Sequence, residues 1–409
     1  MTGHRVVVTG VGVVSPIGHS LEEASRALRE GRHGIAVMPD WAKVEGLETR
    51  LAGVVRDLDV GSHPRKKIRS MGRVGLLSLS ATERAIADAS LDPAELTTGR
   101  AGLIYGSTHG SSEAMEVFCR DLFSRYSLSG LSGSAYLKFM SHTCAANLAQ
   151  YYGVRGRVVP TCAACASGSL AVGTAYELIR SGAQDLCLAG GAEEAHFVHA
   201  AVFDMMFAAS RGFNDRPDES PRPFDVRRDG LVTAEGACTL VLERHDRAVA
   251  RGARILAEIA GYGSNCDGTH VTSPSAEGMS AAMRLALDDA GLDAGSIGYV
   301  NAHATATEVG DVAEAGATRK VFGEGVPVSS TKGHTGHTLG ACGALETAFC
   351  IAALREGYAP ATRNLTEVDP RCGGIDHVMG EARAITAEHA MNNNFAFGGI
   401  NTSIVLRRV

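Results

Sequence analysis

A chain of 409 residues that is 45% hydrophobic and 21% charged holds ample apolar material for a packed core. Its net charge of −6 argues against a nucleic-acid binder, which needs a basic surface to neutralise phosphates. No run approaches the roughly 18–20 apolar residues of a membrane span, the N-terminal segment is too short and Gly-broken for a secretory signal, and the ten scattered cysteines predict free thiols in a cytoplasmic protein.

In chain order, Arg5–Val14 predicts a β-branched strand that breaks at Gly10 and Gly12. The basic run Arg65–Arg73 (RKKIRSMGR) stands out in an acidic chain. Ala85–Leu96 (AIADASLDPAEL) predicts a helix and a turn, and Ala101–Gly106 (AGLIYG) the strand that follows. An insertion, Thr108–Tyr152, carries His142 and Cys144 and precedes Val158–Pro160, a further strand. Beyond the turn Thr161–Ser169 (TCAACASGS) come a small-residue helix, Gly168–Ser181, and a strand, Asp185–Ala189. A polar stretch, Arg211–Asp229, closes the first half.

The second half repeats this plan. Ile255–Gly263 matches Arg5–Val14 in kind, and Ala286–Ile297 (ALDDAGLDAGSI) closely matches Ala85–Leu96. Gly298–Ala302 is the next strand. Pro327–Ser330 then runs into the turn Thr331–His337 and a small-residue helix, Gly340–Arg355. Strands alternating with helices predict an α/β fold of parallel sheets covered by helices. The duplication predicts two such units about a pseudo-twofold axis, residues 1–251 and 252–409, forming one rigid body. Thr108–Tyr152 and Arg211–Asp229 have no second copy, so they are candidates for dimer and substrate-tunnel elements; His142 and Cys144 fall near the expected tunnel and dimer seam.

Three places could carry chemistry. Cys165 follows a strand and opens a helix, where unpaired N–H groups and the helix dipole predict a lowered thiol pKa and an oxyanion site. Taken alone, Cys165 reads more readily as a small buried apolar residue, and with Cys162 it forms a CxxC. His303 follows a strand in Tyr299–Asp311 (YVNAHATATEVGD). His337 lies at a loop-to-helix junction in Ser329–Glu346 (SSTKGHTGHTLGACGALE), five residues after Lys332 and at HxxH spacing from His334. Without a carboxylate or a third histidine the HxxH carries little weight, and no metal is expected. One Cys and two His at strand ends, in a fold that gathers such ends, outweigh the single motifs.

This combination resembles the elongating, type II β-ketoacyl-acyl carrier protein synthases of the thiolase superfamily along essentially the whole chain. ACASG around Cys165 is similar to the nucleophile motif, NAHATAT to the first histidine motif, and TKGHTGH to the lysine and second histidine motif. NFAFGGIN (Asn394–Asn401) is similar to the Gly-rich gating loop. The chain departs from the pattern at Ala304 and Ala396, where Gly is usual and a methyl would limit positive φ. It departs also at Pro160, Cys162 and Ala163, before the nucleophile.

The resemblance implies a thiolase-like fold, two pseudo-duplicated α/β halves in five layers, α-β-α-β-α. It implies Cys165 as nucleophile, and His303 and His337 as donors to the malonyl thioester oxygen during decarboxylation. Lys332 would order the site, and the N–H groups of Cys165 and Phe397 would form the oxyanion hole, within a loop carrying Phe395, Gly398 and Gly399. Glu346 and Asp311 would give structural support, and Thr272, Thr305 and Thr307 would touch phosphopantetheine, with no other cofactor. Arg65, Lys66, Lys67 and Arg69 would dock an acidic acyl carrier protein. The expected assembly is a homodimer or a heterodimer with a related subunit. The insertion looks more like that of synthases in polyene or polyketide pathways, aryl polyenes included, than of housekeeping fatty-acid synthesis. A non-catalytic partner subunit is the competing reading, which the Cys–His–His set counts against. A dinucleotide enzyme is suggested only by Gly10–Val11–Gly12, which lacks the third glycine.

Overall fold

The structure, a computed structural model, describes residues 3–61 and 63–409. Ten strands carry the fold: β1 (Val6–Val14), β2 (Ala101–Gly106), β3 (Val158–Thr161), β4 (Leu186–Glu193), β5 (Gly236–Arg244), β6 (Ala257–Cys266), β7 (Ile297–Asn301), β8 (Pro327–Ser329), β9 (His389–Ala396) and β10 (Ile400–Arg407). The first half runs β3-β2-β4-β5-β1 across its sheet, and the second runs β6-β10-β9-β7-β8, with Asp376–His377 added at that edge. Counted within each half, the strand order is the same. The sequence repeat therefore reappears as topology: Ala85–Leu96 leads into β2 as Ala286–Ile297 leads into β7.

The sheets are mixed rather than all parallel, which corrects the expectation from alternation. β2 pairs in parallel with β3 and β4, and β7 with β8 and β9, but β5 and β10 run antiparallel to both their neighbours. β10 follows β9 through the tight turn at Gly398–Gly399, and β5 returns beside β4 after the helix Phe197–Met205 and the polar stretch 211–229. β1 and β6 pair antiparallel, Val6 opposite Ile259, and join the halves edge to edge.

Helices fill three layers. The outer layer of the first half holds α1 (Arg73–Asp88) and α3 (Thr143–Tyr152), separated in sequence by α2 (Ser112–Arg125). The central layer holds α4 (Ser167–Arg180) and α8 (Cys342–Glu356), and between them in sequence comes α5 (Phe197–Met205). α6 (Ala276–Ala290) and α7 (Glu308–Phe322) cover the far side. Three apolar clusters match this layering. Val74, Leu77 and Leu148 pack on the first sheet's outer face, Val172, Ile179, Leu345 and Ile351 lie between the sheets, and Met283, Leu287 and Ala315 lie outside the second. α8 is apolar or small nearly all round, as a helix sandwiched between two sheets requires.

Where α4, β4 and the start of α8 meet, backbone touches backbone. A Cβ on Gly168 would sit 2.9 Å from the Gly340 carbonyl, and one on Gly340 would sit 2.8 Å from the Thr108 nitrogen; Gly191 faces the same carbonyl. Only glycine allows this approach.

The two uncopied segments have separate fates. Cys144 is buried against α1, its thiol facing the Val74 carbonyl, so it belongs to the core and not to a tunnel, and His142 is exposed. Arg211–Asp229 straps the halves together: Arg228 pairs with Asp369 at 2.7 Å, and Asp225 accepts the Thr366 and Glu367 N–H groups. No helix among the described residues is long and apolar enough to cross a membrane.

Candidate active site

The C-terminal ends of β3, β7 and β8 converge on one cavity of about 560 Å³, where Cys165, His303 and His337 line the wall. After β3 the chain turns sharply, with Ala164 at φ +45°, in the left-handed region a methylated residue adopts at a cost. This turn presents Cys165 just before α4. Cys165 Sγ lies 3.0 Å from His337 Nε2. The His303 and His337 rings meet edge to face at 5.2 Å, and ligating atoms of all three residues lie within 4.8 Å of one another.

The expectation of a lowered thiol pKa is not met. Burial pushes Cys165 up to about 12, while Lys332 and the residue's own backbone N–H pull weakly the other way. Both histidines are held well below their usual range, first by burial and then by the Lys332 charge. The resting site is thus a neutral thiol 3.0 Å from a neutral imidazole. Each histidine leaves its Nδ1 buried without a partner among the described residues, and His337 turns its Nε2 to the sulfur. His337 is fixed by its main chain, its N–H donating to Val232 and its carbonyl accepting from Ala234 of the first half.

Behind the cluster, Lys332 donates to Glu346 at 2.5 Å, and Asn394 donates to the other carboxylate oxygen at 2.6 Å. All three are buried. Burial opposes the charge on Lys332, but Glu346 holds its pKa up. This ion pair sets the field around the histidines and has no route to solvent.

Glu314, which sequence reasoning passed over, accepts the His303 and Ala304 N–H groups at 2.7 and 2.6 Å and so fixes the loop after β7. Burial pushes its pKa up to about 8. Its sequence signal was a lone Glu on the small-residue face of α7, eleven residues after His303. Cys342, also missed, faces the Cys165 carbonyl at 3.2 Å, and its thiol lies within 4.8 Å of ligating atoms of His303 and Glu346. Either cluster offers three donor atoms, though Cys165 is protonated at rest, and a cation would have to displace that proton. His334 turns away, both ring nitrogens facing the carbonyls of Arg32 and Ala361. That arrangement ends the HxxH reading. Cys162 faces the Thr108 carbonyl and not Cys165, so the CxxC is no redox pair.

The remaining residues singled out from sequence divide as follows. Thr305, Thr307 and exposed Thr272 line the outer cavity, and the Thr305 and Thr307 hydroxyls are 3.1 Å apart. Asp311 is buried, accepts the Phe224 and Ala306 N–H groups, and is pushed by burial to about 6. Phe395, Phe397 and Gly399 line the cavity, with Gly398 beside them in the turn. The Phe397 ring lies 5.8 Å from Phe203. Among the described residues, neither the Cys165 nor the Phe397 N–H donates to a backbone carbonyl outside regular elements. Ala304 and Ala396 are not at positive φ, so their methyls cost nothing; Gly398 (φ +90°) and Gly399 (φ +72°) make the turn, and Ala306 (φ +69°) takes the left-handed place after β7. Arg65, Lys66, Lys67 and Arg69 are exposed, but Arg73 leaves the basic run to pair with Glu235 at 2.6 Å.

Comparison with known proteins follows this geometry. Residues 3–248 match the family model of the β-ketoacyl synthase N-terminal domain, and residues 256–366 that of its C-terminal domain. The chain is 38% identical over 408 residues to 3-oxoacyl-[acyl-carrier-protein] synthase 1 of Escherichia coli strain K12, covering 99% of each. It superposes on a β-ketoacyl synthase from Burkholderia phymatum STM815 with TM-score 0.96 at 50% identity, covering 99% of this chain and 100% of that one. It is also similar to the ishigamide ketosynthase/chain length factor, at TM-score 0.93 and 33% identity over the whole of both chains.

Proposed function

Since the chain belongs to the β-ketoacyl synthase family of acyltransferase-type condensing enzymes, we propose that Cys165 carries the growing acyl chain while His303 and His337 drive decarboxylation. The observation that carries this reading is the 3.0 Å approach of His337 Nε2 to Cys165 Sγ, with His303 beside both. In the first half-reaction the Cys165 sulfur attacks the thioester carbon of an acyl group on phosphopantetheine. Its proton passes to His337 and on to the departing thiolate, and the acyl–sulfur bond re-forms on Cys165.

A malonyl group on a second carrier then enters. Its carboxylate leaves as CO₂, and the bonding pair moves into an enolate whose oxygen receives hydrogen bonds from Nε2–H of His303 and of His337, which for this step carries its proton on Nε2 and not on Nδ1. The enolate carbon attacks the Cys165 thioester, a carbon–carbon bond forms as the carbon–sulfur bond breaks, and the departing thiolate takes up one proton from solvent, the proton that the overall reaction consumes. The unpaired N–H groups of Cys165 and Phe397 hold the oxyanion in both acyl transfers. Lys332, ion-paired and buried, orders the histidines without moving protons, and Glu346, Glu314 and Asp311 support the loops. The Thr272, Thr305 and Thr307 hydroxyls steady the phosphopantetheine arm, and Arg65, Lys66, Lys67 and Arg69 guide an acidic carrier protein.

The halves 1–251 and 252–409 contribute nucleophile and histidines respectively, and the ten free cysteines agree with work in the cytoplasm. β3 is the outer strand of its sheet, with Val158 39% exposed, and Tyr126 and Leu128 of the insertion are 86% and 77% exposed. An open strand edge beside apolar side chains fits a dimer seam. A heterodimer with a chain-length-factor-like subunit, in a polyene or aryl polyene pathway, is favoured over a homodimer only by the similarity to the ishigamide ketosynthase/chain length factor.

The test is intact-protein mass spectrometry after incubation with acyl-carrier proteins, beside Cys165→Ala. An acyl mass on wild type alone is expected. No acylation from any donor, with or without a co-expressed partner, would overturn the nucleophile assignment.

A further inference from the structure

A second buried cluster lies next to the nucleophile turn, and the mechanism leaves it unused. The loop after β2 touches that turn directly: the Thr108 carbonyl accepts from Cys162 Sγ at 2.9 Å. The next residue, His109, points Nε2 at Ser112 Oγ (2.7 Å). Ser112 Oγ is also 2.9 Å from His199 Nε2 on α5, and the two ring nitrogens are 3.1 Å apart. Ser112 and His199 are buried, at 4% and 5% exposure.

Burial pushes His199 down to about 3, aided by His109 and His196, and it lowers His109 too. Two neutral rings share one hydroxyl proton, and a relay in which His109 Nε2–H donates to Ser112 and Ser112 donates to His199 Nε2 is the direction that the Glu194 carbonyl near His199 favours. The proton of His199 then sits on Nδ1, which has no hydrogen-bond partner among the described residues. The Glu194 carbonyl lies near enough to favour a proton there, though not in line to accept it.

The cluster's place gives it a use. His199 and Phe203 are four residues apart on one face of α5, about 6 Å along its axis. Phe203 lines the Cys165 cavity and, with Ala209, Leu231, Leu339 and Phe397, forms an apolar sleeve beside the nucleophile. The cavity around Cys165 stops at Phe203, and an acyl chain pushing past that ring along the helix would head towards His199, with Ser112 and His109 against it. A saturated chain lying against these groups would offer them no hydrogen bond. A chain with an oxygen at its far end would satisfy them.

We propose that His109, Ser112 and His199 form the distal wall of the acyl site and select chains bearing a hydrogen-bonding oxygen, a hydroxyl or carbonyl, over plain alkyl chains of equal length. The proposal rests on Cys165 being the acyl-carrying residue.

The test uses the full-length enzyme with carrier protein loaded with matched pairs, from hexanoyl and 6-hydroxyhexanoyl to dodecanoyl and 12-hydroxydodecanoyl. Acylation of Cys165 is timed by intact mass. At the best-fitting length wild type should load the oxygenated chain about tenfold faster. His199→Met should remove or reverse that preference, and Ser112→Ala, a milder change checked by thermal melting, should narrow it. Equal or faster loading of the alkyl chain by wild type at every length would overturn the proposal. So would a preference that survives in folded His199→Met. Failure of both chains to acylate wild type would bring down the nucleophile assignment and this proposal with it, whereas acylation without preference strikes the proposal alone.

Discussion

The two halves share a strand order yet carry different chemistry at equivalent places. Beyond the third strand of each, the first half turns through Ala164 into Cys165, and the second turns through Lys332 into His337. Beyond the second strand, the first half has His109 and the second His303. In the proposed reaction the first half contributes the sulfur that would bond the acyl chain, and both halves line the apolar sleeve beside it. The second supplies neutral nitrogens over a buried ion pair. The comparison teaches that duplication provides positions, since strand ends converge whatever residues occupy them, while side chains assign the task at each position.

The sharpest way to break the comparison is to remove one half's contribution. Cys165→Ala should lower condensation on the order of 10⁴-fold or more, yet leave decarboxylation of malonyl-carrier protein measurable by released CO₂. Equal loss of both activities would mean that the halves do not divide the work. His303→Ala should do the converse: decarboxylation falls about 10²–10³-fold while Cys165 still takes an acyl mass. His337→Ala should damage both, because among the described residues it is His337 that hydrogen-bonds the sulfur.

Stability changes come next. Glu346→Ala leaves the Lys332 ammonium buried and unpaired, and should cost about 3–5 kcal/mol, read as a lower denaturation midpoint. Glu346→Gln, which keeps an oxygen opposite the ammonium, should cost less.

A pH series sharpens the picture on the first half's side. Burial raises Glu193 to about 8; one of its oxygens accepts from Thr108 and Gly340, and the other has no partner. The folded state therefore holds a proton there that the unfolded chain releases near its ordinary carboxylate value, so this group's contribution to stability declines as pH rises from about 4.5 towards 8. Glu193→Gln should flatten that decline in thermal melts, and an unchanged slope would count against it. The smallest effect is expected at the surface: Lys66→Glu with Lys67→Glu should slow carrier-protein association severalfold at low salt and little at high salt.

Much of this was legible in the sequence because local signals coincided. The matched segments Ala85–Leu96 and Ala286–Ile297 revealed the duplication, and Cys165, His303 and His337 each stood at a strand end. Strand direction was not legible. An apolar run such as β5 or β10 shows burial on both faces but not which way the neighbour points. The thiol's protonation escaped for a related reason: the helix end is visible in sequence, but the burial that outweighs it is made by residues from both halves. The His109–Ser112–His199 cluster was missed because His199 lies ninety residues from His109, and Glu314 because a glutamate on a helix ordinarily reads as exposed, though its partners are only ten and eleven residues away. Cys144 misled because its neighbours in sequence are insertion residues, while its neighbours in space are core.

The bare seam at Gly168, Gly191 and Gly340 has a mechanical consequence. With no side chain between them to rotate or compress, the backbone that carries Cys165 and the backbone that leads from His337 into α8 press on each other as rigid parts. A shift of a few tenths of an ångström in one is passed on undiminished, so the sulfur–nitrogen spacing is gauged by main chain and not by packing. Libraries randomised at those three positions should return glycine almost alone, whereas the apolar positions of the central layer should accept many combinations of equal volume. In this enzyme the tolerance of the reaction centre is set where there is least to mutate.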